Sequence, residues 1–374
     1  MSLGKRALLS LTVLTATFVT AEIAARVALR GDWSAGTVPR LRWADLGQRE
    51  PERGWALRPS LVAEIVGPHD TYVVRTDERG YRQPRGRWAE AEAARRVLVL
   101  GDSIAFGWGV DQDETFAARL DGRLGEGTEV WNLACPGYSI DQSLWTYERH
   151  RRAVGPDVVV LVSVMNDVAT ASRSEQEGLG KPRLELVDGG WSRIEPSPDL
   201  VRYRPLPILH GLSGRLASAA LLRRFREGPP PSPAVVPDRI PWTEKGGRAV
   251  DEVAAGVSAG LLDPASPIHE ALRRLVASAR ADGARFVLVA CPFGHDPFLL
   301  DPRFEPPPEG RGESRYSRAL RELARSFDVE FVSMDEAFGA AVAAGATLHC
   351  GDGHPNARAH GLIADALVGL LAAR

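Results

Sequence analysis

After about residue 95, short continuous apolar runs alternate with segments whose apolar residues recur at helical spacing. The runs at 97–100 and 158–164 are rich in valine and leucine, as expected for strands that are buried on both faces. Between them, residues 116–124 carry apolar side chains at the spacing of one helix face. This alternation predicts the α/β class, in the form of a three-layer α/β/α sandwich with a central parallel sheet.

The alternation resumes toward the end of the chain. Helices are expected at about 141–153, 268–281, 316–327 and 356–373, and strands at 286–290 and 329–332. We interpret residues 95–374 as one domain. Residues 31–94 contain short strand-like pieces and turns, and we interpret them as lead-in strands that pack on this domain.

Residues 171–263 interrupt the alternation, and we interpret them as an insertion. They contain a predicted hairpin over 184–191 that turns at 188–190, an amphipathic helix over 212–226 and a stiff proline-rich connector at 228–233. The insertion separates the first three strands of the predicted sheet from the last two.

The first residues of the chain are expected to engage a membrane. Lys5 and Arg6 precede an apolar run over 7–21 that contains no charged residue. The length of this run suits a cleaved signal peptide. Further apolar residues follow it at 23–29, and together they suit an uncleaved membrane anchor over residues 1–30. In both cases the positive-inside rule places the rest of the chain outside the cytoplasm, either secreted or periplasmic or anchored to the cytoplasmic membrane. The remaining alternative is an amphipathic helix on a cytoplasmic protein.

Composition argues against some partners. The formal net charge is -2 and no long block of like charge occurs, so we expect no nucleic-acid partner. The basic side chains are almost all arginine, and we interpret the three lysines, Lys5, Lys181 and Lys245, as a sign of compositional bias. Three widely spaced cysteines predict no disulfide framework.

The first predicted strand ends in a Gly-Asp-Ser sequence. Gly101 permits a tight turn from strand to helix and presents Ser103 at the start of the helix. A hydroxyl there gains from the positive helix end, and nearby backbone N–H groups can face an oxyanion. The same segment is also compatible with an ordinary helix cap. A phosphate-binding loop fits less well, because its lysine is missing.

Two further strand ends carry polar or turn residues. A Pro-Gly turn after the second strand places Gly137 where its N–H can face a neighbouring site, although a turn glycine needs no such role. Asn166 follows the long strand at 158–164, and its side chain can donate to a developing oxyanion. Helix capping by Asn166 or Asp167 is the alternative.

A fourth group of polar residues precedes the last helix. A serine nucleophile needs a base and the base needs an orienting acceptor, and His354 and Asp352 supply both. The alternative is a metal cluster of His349, Cys350, Asp352 and His354, but these spacings match no standard zinc pattern. We therefore expect neither a metal nor an organic cofactor.

These four blocks, in this order, resemble the SGNH hydrolases, also called the GDSL esterase and lipase family. The resemblance implies a flavodoxin-like SGNH hydrolase fold and a serine esterase. It also implies that Ser103 forms an acyl-enzyme and that His354 transfers the proton. The oxyanion hole then consists of the N–H groups of Ser103 and Gly137 and the side chain of Asn166.

Two positions depart from the family pattern. Val164 stands where the family usually has glycine, and Asp352 lies two residues before His354 instead of three. Branches that act on polysaccharide acetyl groups show this shorter spacing. The sequences at 54–55 and 80–82 also resemble an exported or membrane-anchored bacterial branch of the family.

The resemblance and the N-terminal segment together predict a serine-dependent ester hydrolase or O-acyltransferase. Its expected substrate is a small acyl ester, in the first place acetyl, of an extracytoplasmic carbohydrate. Trp108, Trp145 and Trp191 are either sugar-stacking faces or core residues. The alternatives are a membrane-associated lipase or lysophospholipase, and a catalytically silent polysaccharide-binding protein.

Overall fold

A computed structural model of the chain describes Ser10, Val13 and residues 15–24, 40–41, 46–66, 71–84, 95–176, 179–196, 258–292, 313–350 and 353–372. The helix predicted at 212–226 and the connector predicted at 228–233 lie outside the described residues.

The described strands and helices follow the alternation that the sequence predicts. The strands are β1 (Arg40–Leu41), β2 (Gly47–Glu50), β3 (Gly54–Leu57), β4 (Val62–Val66), β5 (Thr71–Arg75), β6 (Arg95–Gly101), β7 (Thr128–Asn132), β8 (Val158–Ser163), β9 (Glu175–Gln176), β10 (Leu179–Gly180), β11 (Arg183–Val187), β12 (Gly190–Ile194), β13 (Arg285–Ala290) and β14 (Glu330–Ser333). The helices after residue 100 include α1 (Ser103–Phe106), α2 (Phe116–Leu124), α3 (Ile140–Val154), α4 (Met165–Ala171), α5 (Pro267–Ala281), α6 (Arg315–Ser326), α7 (Asp335–Ala343) and α8 (Ala357–Ala372).

The central sheet has five parallel strands in the order β14-β13-β8-β6-β7. The chain runs from β6 to β7 on one side and then crosses to β8 on the other side of β6. Strand order therefore reverses at β6. In open α/β sheets, ligands bind outside the carboxyl ends of the strands at such a reversal. The fold thus points to the ends of β6 and β8 as the place of the site.

Helices cover both faces of this sheet. Alternate residues of the strands point to opposite faces, so Val97 and Val99 pack with α2 and α8, whereas Leu98 and Leu100 pack with α3, α5 and α6. Because both faces are buried, the central parts of β6, β8 and β13 are apolar without interruption rather than alternating. The three-layer α/β/α sandwich is confirmed.

Several helices begin where the sequence supplies a cap. The hydroxyls of Thr115, Ser266 and Ser314 accept hydrogen bonds from backbone N–H groups in the first turns of α2, α5 and α6. The hairpin expected over 184–191 is present as β11 and β12, with its turn at residues 188–189.

Gln83, which follows β5 along the chain, lies against the edge of the sheet. The side-chain amide of Gln83 accepts from the backbone N–H of Asn132 at 3.1 Å and donates to its carbonyl at 3.4 Å. Asn132 belongs to β7, which is an edge strand. Gln83 therefore satisfies backbone groups that an edge strand otherwise leaves open.

Residues 15–24 are helical and place apolar side chains in solvent, including Phe18 at 50% and Ile23 at 57% exposure. Among the residues that the structure describes, no helix combines the length and the apolar character needed to cross a membrane.

Candidate active site

Ser103 and His354 meet at the carboxyl edge of the sheet. The Nε2 atom of His354 lies 2.8 Å from the Oγ atom of Ser103. With the ring proton on Nδ1, Nε2 accepts the serine hydrogen, as a general base requires. Ser103 is 9% exposed, so its hydroxyl lies in a largely desolvated position at the rim of the sheet. The two residues have the geometry of a nucleophile and its base.

The end of β6 fixes the position of Ser103. The backbone of Gly101 has a φ of +142°, and a Cβ atom there would lie 2.5 Å from the carbonyl oxygen of Val162 in β8. Only glycine fits this close approach of the two strand ends. The side chain of Asp102 then caps α1 by accepting from the N–H of Ile104 at 2.9 Å. The sequence was also compatible with a helix-capping role for Ser103, but the cap is Asp102. The Ser103 hydroxyl faces His354 instead.

A closed turn before α8 carries His354. The N–H of Cys350 donates to the carbonyl of His354 at 2.7 Å, and the N–H of Asn356 donates to the carbonyl of Leu348 at 2.8 Å. The side chain of Asn356 caps α8 by accepting from the N–H groups of Arg358 and Ala359. The imidazole is therefore placed by backbone hydrogen bonds and by the start of a long helix.

Asn166 and Asp167 take different roles at the start of α4. Asp167, in the first turn of α4, accepts from the backbone N–H of Val164 at 3.0 Å and so supplies the reach-back hydrogen bond of a capping box. Asn166 turns toward the serine, and its side-chain amide donates to the Asp102 carboxylate at 3.3 Å. The same carboxylate lies 3.3 Å from the Oγ atom of Ser103. The structure therefore brings Asn166 to the site.

Gly137 lies in a tight turn after β7. The N–H of Tyr138 donates to the carbonyl of Cys135 at 3.1 Å, with Pro136 second in the turn and Gly137 third at a φ of +78°. This is the residue pattern of a type II turn, in which the third residue needs a positive φ. Gly137 is partly exposed, whereas Pro136 and Tyr138 are buried.

Two buried carboxyl groups lie behind the serine. Burial raises the pKa of Asp102 above its usual range, although hydrogen bonds from Ile104, Asn166 and Ser103 and the proximity of His354 oppose the shift. Burial and the neighbouring Asp102 raise the pKa of Asp167 well above its usual range. The Oγ atom of Ser103 is 3.3 Å from Asp102 and 2.8 Å from His354, so the imidazole is the nearer acceptor.

The predicted orienting residue, Asp352, lies outside the described residues. His349, which the metal alternative also used, packs its ring edge against Phe338 at 6.0 Å between ring centroids. Among the described residues, no three His, Cys, Asp or Glu side chains group as metal ligands. All three cysteines are described, and no disulfide links any two of them.

The three tryptophans proposed as sugar-stacking faces occupy different places. Trp108 is partly exposed, and its ring centroid lies 6.0 Å from that of His354. Trp145 is buried on α3 under the guanidinium of Arg193, and Trp191 packs against the same helical layer. Of the three, Trp108 is the one that contacts the site.

His360 has a structural role, as its position inside α8 suggests. Its Nδ1 atom accepts the backbone N–H of Phe116 at 3.2 Å, and the two rings stack with centroids 6.0 Å apart. Burial lowers the pKa of His360 to about 3.

Sequence reasoning missed two residues near the site. Trp55 in β3 hydrogen bonds to the turn that carries Gly137, and Lys181 is buried beside the same turn, with its ammonium 2.7 Å from the hydroxyl of Ser139. The Gly-Trp pair at 54–55 is visible in the sequence, but its partner lies 81 residues away. Lys181 belongs to no periodic pattern and resembles any surface lysine.

Comparison with known proteins identifies a family. The model of the GDSL-like Lipase/Acylhydrolase family matches residues 99–362. This range contains all the residues predicted to form the site.

The solved structures to which this chain is similar share little sequence with it. TesA is 16% identical, with 74% of this chain and 98% of that chain covered and a TM-score of 0.36. A member of the lipolytic protein G-D-S-L family from Veillonella parvula is 12% identical, with 75% and 99% covered and a TM-score of 0.39. A catalytic mutant of Axe2, an acetylxylan esterase from Geobacillus stearothermophilus, is 16% identical, with 75% and 95% covered and a TM-score of 0.38. No curated protein gives a significant match. These likenesses are too low to indicate a substrate for this chain.

Proposed function

The chain belongs to the GDSL-like lipase/acylhydrolase family and is therefore a serine ester hydrolase, and on this premise we propose that Ser103 is its nucleophile and His354 its general base. The observation that carries this proposal is the 2.8 Å contact between His354 Nε2 and Ser103 Oγ. His354 removes the hydroxyl proton as Ser103 attacks the acyl carbonyl. The alkoxy group leaves with a proton from His354, and an acyl-enzyme remains.

The oxyanion of the tetrahedral intermediate is held by the N–H groups of Ser103 and Gly137 and by the side chain of Asn166. Asn166 lies beside Ser103 through their shared contact with Asp102, and Gly137 is the partly exposed member of its turn. Fixed donors of this kind stabilise charge that develops in the transition state. His354 then activates either water or an acceptor hydroxyl, and the acyl group is released. We assign the orientation of the His354 ring to Asp352.

For the substrate we propose a small acyl ester, in the first place acetyl, of a carbohydrate. The supporting observation is Trp108, whose partly exposed ring lies next to His354 and is itself packed edge-on against Tyr72 at 5.7 Å. A fixed aromatic face beside the base suits the apolar face of a sugar ring. The carbohydrate then leaves as the alcohol on the side of His354.

We further propose that the enzyme works outside the cytoplasm, attached through its N-terminal segment or released from it. Lys5 and Arg6 precede the apolar run, and the helical residues 15–24 expose apolar side chains such as Phe18. Fractionation of cells that express the full chain, followed by protease treatment of intact spheroplasts, tests the placement. Full protection from the protease would contradict it.

Substrate class is tested by comparing kcat/KM of the purified enzyme on an acetylated xylo-oligosaccharide and on esters of acetate and palmitate with the same leaving group. The proposal predicts higher kcat/KM for acetate than for palmitate and a further gain on the sugar ester. A preference for palmitate would favour the lipase alternative. Absence of turnover on every ester would favour the polysaccharide-binding alternative.

A further inference from the structure

The peptide group that supplies the Gly137 N–H is held from its other end. Its carbonyl belongs to Pro136, and the indole N–H of Trp55 donates to this oxygen at 3.1 Å. A trans peptide is planar and its C=O and N–H point in opposite directions. Trp55 therefore fixes the direction of the Gly137 N–H, which points away from the indole.

The turn geometry makes this hold effective. In a type II turn the central peptide is flanked by one rotatable single bond on each side, ψ of the second residue and φ of the third, and its orientation distinguishes this turn from type I. The Pro136–Gly137 peptide is this central unit, with the turn closed by the hydrogen bond from Tyr138 to Cys135. The hydrogen bond from Trp55 thus acts on the Pro136–Gly137 peptide, whose rotation would convert one turn type into the other.

Trp55 also holds the residue on the other side of Gly137. The hydroxyl of Tyr138 donates to the carbonyl oxygen of Trp55 at 2.5 Å, and the two rings pack edge to face with centroids 5.6 Å apart. Trp55 itself is 1% exposed and lies in β3, which pairs with β2. The hydrogen bonds that join Trp55 to Pro136 and to Tyr138 together form a clamp on the turn. This clamp is rigid and excludes water from the back of the turn.

We infer that Trp55 is a positioning residue of the oxyanion hole, which orients and polarises the Gly137 N–H. A hydrogen bond to the carbonyl of a peptide strengthens its N–H as a donor. Orientation before substrate binds avoids reorganisation when charge develops. Trp55 lies before the part of the chain that the family model matches, so a segment outside that region completes the catalytic centre. The inference rests on the proposed role of Gly137 in the oxyanion hole.

The test is Trp55→Phe, which keeps an aromatic ring and removes the indole donor. We expect kcat on a short-chain ester to fall about tenfold, less than the loss of a whole oxyanion donor, with KM within about twofold of wild type. We expect kcat to change and KM to stay nearly constant because the Gly137 N–H acts on the transition state rather than on the bound substrate. Trp145→Phe is the matched control, and its kcat is expected to stay within about twofold of wild type, because Trp145 is buried away from the turn.

An unchanged kcat in a folded Trp55→Phe variant would overturn the inference. A rise in KM at constant kcat, or an equal loss in Trp145→Phe, would also overturn it, because either indicates general loosening. Tyr138→Phe removes the second half of the clamp and decides the question in the same way if Trp55→Phe does not fold. Ser103→Ala distinguishes failure of the proposed function from failure of the inference about Trp55. If Ser103→Ala retains turnover, the proposed function fails. If it is inactive while Trp55→Phe and Tyr138→Phe match wild type, only the inference fails.

Discussion

The Nε2 atom of His354 lies 2.8 Å from the Oγ atom of Ser103, although 251 residues separate them along the chain. Each is fixed by its own local structure, Ser103 by the end of β6 and His354 by the closed turn before α8. The pair therefore exists only when the sheet and the last helix are assembled. Its geometry allows direct proton transfer without a bridging water.

His354→Gln removes the proposed base and keeps a polar side chain of similar reach. We expect kcat on a short-chain ester to fall about 10³-fold, the usual contribution of a general base. His269→Gln is the control, because His269 lies on α5 and contacts the carbonyl of Leu261. Steady-state kinetics of both variants check the prediction, and a His354→Gln variant that keeps a tenth of wild-type kcat would contradict it.

Asn166→Ala removes the proposed side-chain donor of the oxyanion hole. We expect kcat to fall by about 10²- to 10³-fold with little change in KM, because the donor acts on charge that appears in the transition state. Thr170→Ala controls for disturbance of α4, since the Thr170 hydroxyl donates to the carbonyl of Asn166 at 2.9 Å. A similar loss of kcat in both variants would assign the effect to the helix instead.

His360 is expected to make stability depend on pH. Its pKa is lowered from 6.5 to about 3 by burial, so the folded state keeps the ring neutral while the unfolded chain takes up a proton below about pH 6.5. The stabilisation is therefore complete above pH 6.5 and is lost as the pH falls toward 3.

His360→Gln removes this titration and checks the sign. Between pH 6 and 4 the free energy of unfolding of wild type should fall more steeply than that of the variant, by up to about 1.4 kcal/mol per pH unit. Urea unfolding at a series of pH values measures both slopes. Parallel slopes across this range would show that His360 does not contribute, whereas parallel slopes at pH 8 are expected.

Lys181 and Asp141 form a fully buried ion pair. The ammonium of Lys181 lies 3.0 Å from both carboxylate oxygens of Asp141. Lys181→Met leaves this carboxylate buried without its cation, and we expect a loss of about 3 to 5 kcal/mol in the free energy of unfolding. The double variant Lys181→Met/Asp141→Asn should recover part of that loss. A single variant that loses less than 1 kcal/mol in urea unfolding would contradict the prediction.

Much of the sheet could be predicted because its strands are buried on both faces. Residues 158–162 and 286–290 are continuous apolar runs, and such runs identify buried strands without knowledge of their partners. Ser103 and His354 could also be predicted from local sequence, because Ser103 follows the end of β6 and His354 precedes the start of α8. Helix α7 was missed because the alanine-rich segment 335–343 lacks a clear apolar face.

The contacts that were missed join segments far apart in sequence. Trp55 meets Pro136, and Lys181 meets Asp141, only after the N-terminal strands and residues 179–181 pack beside α3. Neither residue stands in a periodic pattern, so local spacing carries no signal for them. Which of Asn166 and Asp167 bonds within the start of α4 was open for a similar reason, because Asn166 instead contacts Asp102, 64 positions away along the chain.

The central claim is that Ser103 becomes covalently acylated with the aid of His354. Mass spectrometry of the intact enzyme and of its Ser103 peptide, after rapid mixing with a short-chain activated ester or with a fluorophosphonate, tests it most directly. We expect one adduct on Ser103 that is lost in Ser103→Ala and forms far more slowly in His354→Gln. Turnover of the ester by Ser103→Ala at the wild-type rate, or an adduct on another residue, would contradict it.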